Sequence, residues 1–348
     1  MKNNASVLYA ILAALLFGIN APFSKLLLEE IHPLFLAALL YLGAGMGMTM
    51  LTVLNKTRRT ASKEARLTKN EIPSVILMIL LDIVAPIFLL TGISLTNSST
   101  AALLGNFEIA ATSMIAMIFF KEAIGKRMWI AILFISLASI LLTITDTTAI
   151  NLSIGAVFVM LSCVCWGFEN NCTRNLSIKD PVQVVILKGF GSGLGALLIA
   201  FIWGELSGSL LYIMLAMALG FVAYGLSIFF YVKAQRGLGA ARTSAYYAAA
   251  PFMGVLISWQ VLKEPITFSF IIALAIMIAG TWLALSENHE HDHTHIEETH
   301  DHSHNHADEH HLHEDHPPIT GEHCHEHTHE NTVHSHCHLP DVHHRHMH

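Results

Sequence analysis

Between Met1 and Ser286 there is one histidine, His32, and no paired His or Asp motif on a helix. No nucleophile–base constellation and no cofactor loop is present. The GFGSGLG run at residues 189–195 follows no strand, and no span is polar enough to hold a phosphate. Nothing therefore points to an enzyme, to a cofactor or to a nucleic-acid partner. The five cysteines (163, 165, 172, 324 and 337) form no disulfide framework: three lie in or beside one apolar run and two among histidines, which suits reduced thiols. Residues 287–348 lack apolar periodicity and have one basic residue, so they cannot bury a core and are expected to be disordered without metal. The net charge of −7 describes neither part. Residues 1–286 hold 18 basic and 12 acidic side chains, while the tail holds 23 of the 24 histidines and 14 of the 26 acids.

What the first part has is apolar length. Ten runs of roughly 20 residues fall near 5–28, 33–54, 72–95, 98–120, 125–144, 152–173, 181–203, 210–234, 240–262 and 266–286. Each suffices for a helix to cross a hydrocarbon core about 30 Å thick. The first run is too long for a signal peptide and no small-residue cleavage site follows it, so it reads as a span. Cations fall on one side. Lys56, Arg58, Arg59, Lys63, Arg66 and Lys69 crowd the loop at 55–71, and Lys121, Lys126, Arg127, Arg174, Lys179, Lys233 and Arg236 lie on the same side. Only Lys25 and Lys263 lie opposite. The bias predicts that this side, with both termini, is cytoplasmic in an inner (plasma) membrane.

The two halves repeat each other. FGINAPFSK (17–25) and WGFENNCTR (166–174) lie 149 residues apart. His32-Pro33 and Asp180-Pro181 open spans 2 and 7, 148 apart, and Gly43, Gly45 and Gly47 match Gly191, Gly193 and Gly195 at that offset. Lys121-Glu122 and Lys263-Glu264 close spans 4 and 9, 142 apart. Five spans is an odd number, so the second unit enters upside down. The expected fold is an all-α integral membrane protein of ten transmembrane helices in a five-plus-five inverted-topology repeat, an architecture of secondary transporters. The units are residues 1–147 and 148–286, followed by the tail at 287–348.

These features together resemble the EamA family of the drug/metabolite transporter superfamily: the order of spans, the WG-x-N-like segments in spans 1 and 6, the x-Pro openings of spans 2 and 7, and the basic-Glu pairs after spans 4 and 9. The resemblance covers residues 5–286. It implies transport of a small metabolite, usually export, by alternating access between the halves. Two positions depart from the family pattern. Leu40 stands where a basic residue is common early in span 2, leaving Lys188 of span 7; Ile109 stands where span 4 usually has proline, which span 9 keeps as Pro251.

A charge within a span costs about 2.5–3.5 kcal/mol on insertion scales and asks for a reason. Asp82 and Glu108 fall near mid-span, and Glu169 nearer the end of span 6. A carboxylate in a dry cavity can be neutral while its helix moves and charged while it holds a cation, so these three are candidates for proton coupling or cargo binding. The plainer alternative is an ion pair with Lys188 that locks helices together. Lys188 could instead hold an anionic group of the cargo. Asn20, Asn170 and Tyr247 are candidates for the cavity wall; Trp166, Tyr224, Tyr246 and Trp259 are aromatic candidates that packing or an interfacial belt would equally explain. Pro22, Pro86 and Pro251 fall within spans and are expected to free backbone carbonyls there, breaks that are tolerated where they line a cavity or neighbours re-satisfy them.

The tail interleaves imidazoles with carboxylates and two thiols. His289, His291, His293 and His295, then His302, His304 and His306, then His323, Cys324, His325 and His327, then His336, Cys337 and His338 are candidate ligands for zinc, nickel, cobalt or copper. A solvated polyelectrolyte answering to pH is the alternative. The leading expectation is a secondary active transporter exporting a small metabolite, coupled to protons, needing no cofactor for transport, with the bilayer, its cargo and transition-metal ions as partners. The alternatives are a divalent-metal transporter fed by the tail, and a membrane-anchored metal sensor or store that moves nothing. Nothing in the residues selects monomer or dimer.

Overall fold

The computed structural model describes residues 2–56, 67, 69–120, 124–146, 151–172, 176, 179–238, 243, 246–286 and, in the tail, 289–294, 298–304, 323–329 and 333–338. Helix is the outcome the apolar runs dictate, because a chain in lipid must satisfy its own backbone polar groups. The helices, numbered by span, are α1a (Lys2–Gly18), α1b (Asn20–Leu27), α2 (Pro33–Lys56), α3 (Ile72–Leu95), α4a (Ser98–Leu104), α4b (Phe107–Phe120), α5 (Lys126–Thr143), α6 (Ile154–Cys172), α7 (Pro181–Ile202), α8 (Leu210–Gly220 continuing into Ser227–Leu238), α9 (Ala250–Leu262) and α10 (Phe268–Leu285). Among the described residues, nine segments are long and apolar enough to cross a membrane, and α9 is the shorter tenth. Proline starts α2 and α7, where a missing N–H is harmless, and the Asp180 carboxylate accepts from Val182 N at 2.9 Å.

The helix packing obeys an exchange of the two halves. α3 lies along α6 as α8 lies along α1; α4b lies on α6 as α9 lies on α1; α2, α4a and α5 each pack on their own counterparts, α7, α9 and α10. That is the contact pattern of an inverted repeat. At its centre runs α2, with Leu36, Leu40, Tyr41 and Ala44 fully buried. Glycines permit close crossings on α2: a Cβ on Gly189 of α7 would lie 2.5 Å from Gly45 N and 2.6 Å from Gly45 Cα. Leu133, Leu198 and Trp282 are exposed on the perimeter, as a lipid-facing surface requires. At the end with the basic loops, Lys179 on the approach to α7 pairs with Glu71 at 3.2 Å.

Four spans are interrupted: α1 at Ile19, α4 at Gly105-Asn106, α9 ahead of Ala250, and α8 by a π-helical turn over Phe221–Leu226. The breaks of α4 and α9 fall at corresponding places in the two halves. Of the three prolines within spans, Pro22 and Pro251 follow directly on the breaks of α1 and α9, and Pro86 does not interrupt its helix. Pro22 sits in the first turn of α1b, where proline is tolerated, and α3 continues through Pro86.

The tail is described only in four short stretches. Its described backbone forms two antiparallel pairs, His289–Thr294 with Val333–His338 and Glu298–His304 with His323–His329. The every-second-residue spacing of histidine is also the period of a strand, so His291 falls opposite His336 and His302 opposite His325. Of the candidate ligands, His295 and His306 lie outside the described residues.

Candidate functional site

Polar residues of α2, α3, α6 and α7, none of them among the interrupted spans, meet in the interior of the bundle. Lys188 of α7 points its Nζ at Asp82 Oδ2 of α3 (3.0 Å) and Glu169 Oε1 of α6 (3.4 Å). Asp82 is 1% exposed and Glu169 6%. Tyr41 of α2 donates its hydroxyl to Asp82 Oδ1 at 3.1 Å. Four helices from both halves thus meet at one ion cluster. Removing one partner from such a buried group costs about 3–5 kcal/mol, because a charge is left uncompensated. Pro86 adds to this site: it has no N–H, so the Asp82 carbonyl four residues earlier loses its helical donor.

A second layer lies beside the first. Asn20, the first residue of α1b, donates to Tyr224 Oη at 3.0 Å and accepts from Ser24 Oγ at 3.1 Å. Tyr224 belongs to the π-helical turn of α8. Its ring stands 5.2 Å from Tyr41 and 6.0 Å from Phe17. Phe17 is 5.7 Å from Tyr247, which in turn is 4.9 Å from Tyr231. The Tyr247 hydroxyl lies 3.4 Å from Ser227 Oγ. The rings form one aromatic wall that joins the ion cluster at Tyr41.

Glu108 opens α4b, immediately after the break, where a helix N-terminus favours a carboxylate. Asn170 Nδ2 donates to its Oε1 at 2.7 Å. Glu108 is within electrostatic reach of Glu169 and Lys188. Asn170 is exposed although it lies on the side of α6 away from the perimeter: it follows Leu161 by nine residues, about half a turn out of phase. Asn171 is used within the fold, donating to Thr112 O at 3.0 Å and Gly167 O at 2.8 Å. Cys163 is buried, its thiol 3.6 Å from Leu104 O, a packing role.

At the end of the bundle away from the basic loops the turn between α3 and α4a is held by two capping side chains. Lys25 Nζ donates to Ile93 O (2.6 Å), Ser94 O (3.1 Å) and Thr96 O (2.8 Å), closing the C-terminus of α3. Glu264 Oε1 and Oε2 accept from Ser98 N (2.7 Å) and Ser99 N (2.8 Å), closing the N-terminus of α4a. Ser98 Oγ also meets Ser258 Oγ of α9 at 3.0 Å. The turn between α3 and α4a is therefore pinned by a cation from α1b and a carboxylate just past α9. Lys263, directly before Glu264, is held at φ 53°, ψ 34°, a left-handed conformation unusual for a side chain larger than glycine.

The structure brings Asp82, Glu169 and Lys188 into direct contact, sets Glu108 and Asn170 together beside them, and lines Asn20 and Tyr247 along the aromatic wall. Tyr246 and Trp259 are exposed instead. Sequence reasoning missed Tyr41, Ser24 and Ser227 as members of the cluster. A tyrosine hydroxyl next to the glycine row of span 2 was the available signal for the first. It also saw Lys25 and Glu264 as repeat markers without their capping roles.

An uncharacterized transporter of Methanothermobacter thermautotrophicus is 28% identical over 288 residues, spanning 78% of this chain and 84% of that protein. A protein of known crystal structure superposes with a TM-score of 0.59 at 16% identity, over 82% of this chain and 96% of its own, a likeness of fold. The EamA-like transporter family matches twice, over residues 4–144 and 153–286. The chain is a multi-pass membrane transporter, not an enzyme, and it belongs to the EamA-like transporter family.

Proposed function

We propose that this transporter exports a small polar metabolite across the plasma membrane by alternating access between units 1–147 and 148–286, driven by protons that exchange at Glu108, Asp82 and Glu169. The observation that carries this reading is the interior cluster built from both halves, with the turn at one end held by Lys25 and Glu264. Lys69, Lys126, Arg127, Lys179 and Lys233 gather at the other end, which supports a cytoplasmic assignment for that end and for both termini. The exposed Asn170 and its partner Glu108 then face the cytoplasm. The tail, on that side, binds transition metal through its spaced histidines and cysteines and is separable from flux.

A divalent-metal cargo has less support: among the described residues no group of three His, Cys, Asp or Glu side chains is arranged to hold an ion. A growth-protection screen across amino acids, nucleobases, amines and metals, in cells with and without the chain, tests the reading. Flux in reconstituted vesicles follows with each compound that scores. The reading requires accumulation driven by an imposed pH gradient and unaltered after deletion of residues 287–348. Metal flux abolished by Glu108→Ala, or no flux with tight metal binding by the tail, refutes it.

A further inference from the structure

We infer that a groove at the end of the bundle away from the basic loops binds a single-chain amphiphile with a cationic ammonium head. The site is separate from the interior ion cluster, so the inference goes beyond the transport reading and does not depend on it. A cavity of about 790 Å³ opens between the turn joining α1b to α2, the end of α3, the start of α6, the end of α7 and the loop after α7. That volume lies within the range of small-molecule sites, about 300–1,000 Å³. On α3 its wall runs from Leu95 inward to Ile87, about 12 Å along the helix axis. The floor is apolar: Ile87, Phe88, Phe158 and Ile199, with the rings of Phe88 and Phe158 stacked at 5.8 Å. The charged groups gather at the rim, with Glu29, Glu30 and His32 on one side and Glu205 on the other. Polarity thus changes with depth as it does along an amphiphile, head outward and chain inward.

Charge complementarity selects the head. Three carboxylates stand at the rim, and among the described residues no lysine or arginine lines the groove. Two cations are near. His32 Nδ1 meets Glu205 Oε2 at 2.6 Å, a contact that needs a proton on that nitrogen. Lys25 is within electrostatic reach of Glu29 and Glu264, but its ammonium is held by the carbonyls of Ile93, Ser94 and Thr96. With both cations set against the three rim carboxylates, one carboxylate is still in excess, and Glu264 adds another beside Lys25. Such a rim attracts a cationic head and repels a carboxylate or a phosphate. Trp203, at the mouth and 71% exposed, offers a ring face to an ammonium. A membrane phospholipid fits less well, because it carries its phosphate to the same rim.

The test is a charge series on one chain. Full-length protein in phosphatidylcholine nanodiscs is titrated with octyltrimethylammonium, octan-1-ol and octanoate, and saturable binding is read by calorimetry after subtraction of empty discs. The cation is expected to bind at least about fivefold more tightly than the alcohol, and octanoate not at all. Glu29 and Glu30 are exposed, so the double variant Glu29→Gln/Glu30→Gln should fold; it is expected to weaken the cation by about tenfold and leave the alcohol unchanged. Thr91 lies halfway down the α3 wall, and Thr91→Phe fills the groove and should abolish binding of both. Should that variant lose its fold, the charge series and the double variant decide alone. Equal or tighter binding of octanol or octanoate, no saturable binding of the cation, or cation binding unchanged in the double variant or in a folded Thr91→Phe protein overturns the inference. A phospholipid that native mass spectrometry finds on the wild type and not on Thr91→Phe also overturns it, because the groove then belongs to the membrane lipid.

Discussion

Replacing Glu264 should loosen one end of the molecule without touching its centre. Its carboxylate accepts the backbone N–H groups of Ser98 and Ser99 at 2.7 and 2.8 Å, so it acts as a helix cap lent by the other half. A charge-assisted hydrogen bond contributes about 1.5–3 kcal/mol when shielded. Glu264 is only partly buried, so water can replace it, and the cost of losing a cap, about 1 kcal/mol and at most about 2, is the better guide. Glu264→Ala is therefore expected to shift the ratio of sealed to open molecules by about 5–30-fold. The assay is thiol modification. Cys163, Cys165, Cys172, Cys324 and Cys337 are replaced by serine or alanine, and a reporter cysteine is placed at Ala102, which is 9% exposed in α4a. A membrane-impermeant maleimide applied from outside should label it faster in Glu264→Ala by that factor, and by less in Glu264→Gln, which keeps one acceptor. Unchanged labelling with a lowered melting temperature would refute the reasoning and leave Glu264 as a helix cap alone.

Glu108→Gln retains an acceptor for Asn170 Nδ2 but cannot release a proton, so stability should change by less than about 1 kcal/mol while flux stops responding to an imposed pH gradient; persisting pH-driven flux counts against coupling at this residue. Gly189→Ala drives a Cβ against the backbone of Gly45, which cannot swing aside, so a loss of about 1–3 kcal/mol is expected, read as a lower melting temperature in detergent. Lys263→Gly relieves the left-handed residue before Glu264 and should be neutral or stabilising by up to about 1 kcal/mol, while Lys263→Val should destabilise; thermal unfolding of both variants decides.

The spans and the duplication were legible because they are one-dimensional. Apolar length, proline at the start of spans 2 and 7 and glycines at a constant offset need no knowledge of neighbours. The charged residues stood out for the same reason, since each interrupts an apolar run. Their partners were not legible. Lys188 meets Asp82 and Glu169 because α7 packs on α3 and α3 lies along α6, while the sequence left an ion pair with any of the three carboxylates open beside a grip on an anionic group of the cargo. The breaks were legible in part. Proline marked the breaks of α1 and α9 at Pro22 and Pro251 but not that of α4 at Gly105-Asn106, and α3 runs on through Pro86; Gly18 and Gly254 let α1 and α9 approach closely. In the tail the every-second-residue histidine spacing is also the period of a strand, which the sequence reading did not use.

The exchange symmetry of the packing has an energetic consequence. If α3 on α6 can trade places with α8 on α1, and α4b on α6 with α9 on α1, the core contacts of the two exchanged arrangements are nearly isoenergetic. The large burial terms then cancel in the difference between them. What is left is set by contacts at the two ends of the bundle, the Lys25 and Glu264 ties among them. A scaffold worth tens of kcal/mol can in this way be tipped by one or two helix caps, each about 1 kcal/mol. The resting orientation of such a molecule is accordingly easy to retune by single substitutions at its ends, while its core stays conserved in shape.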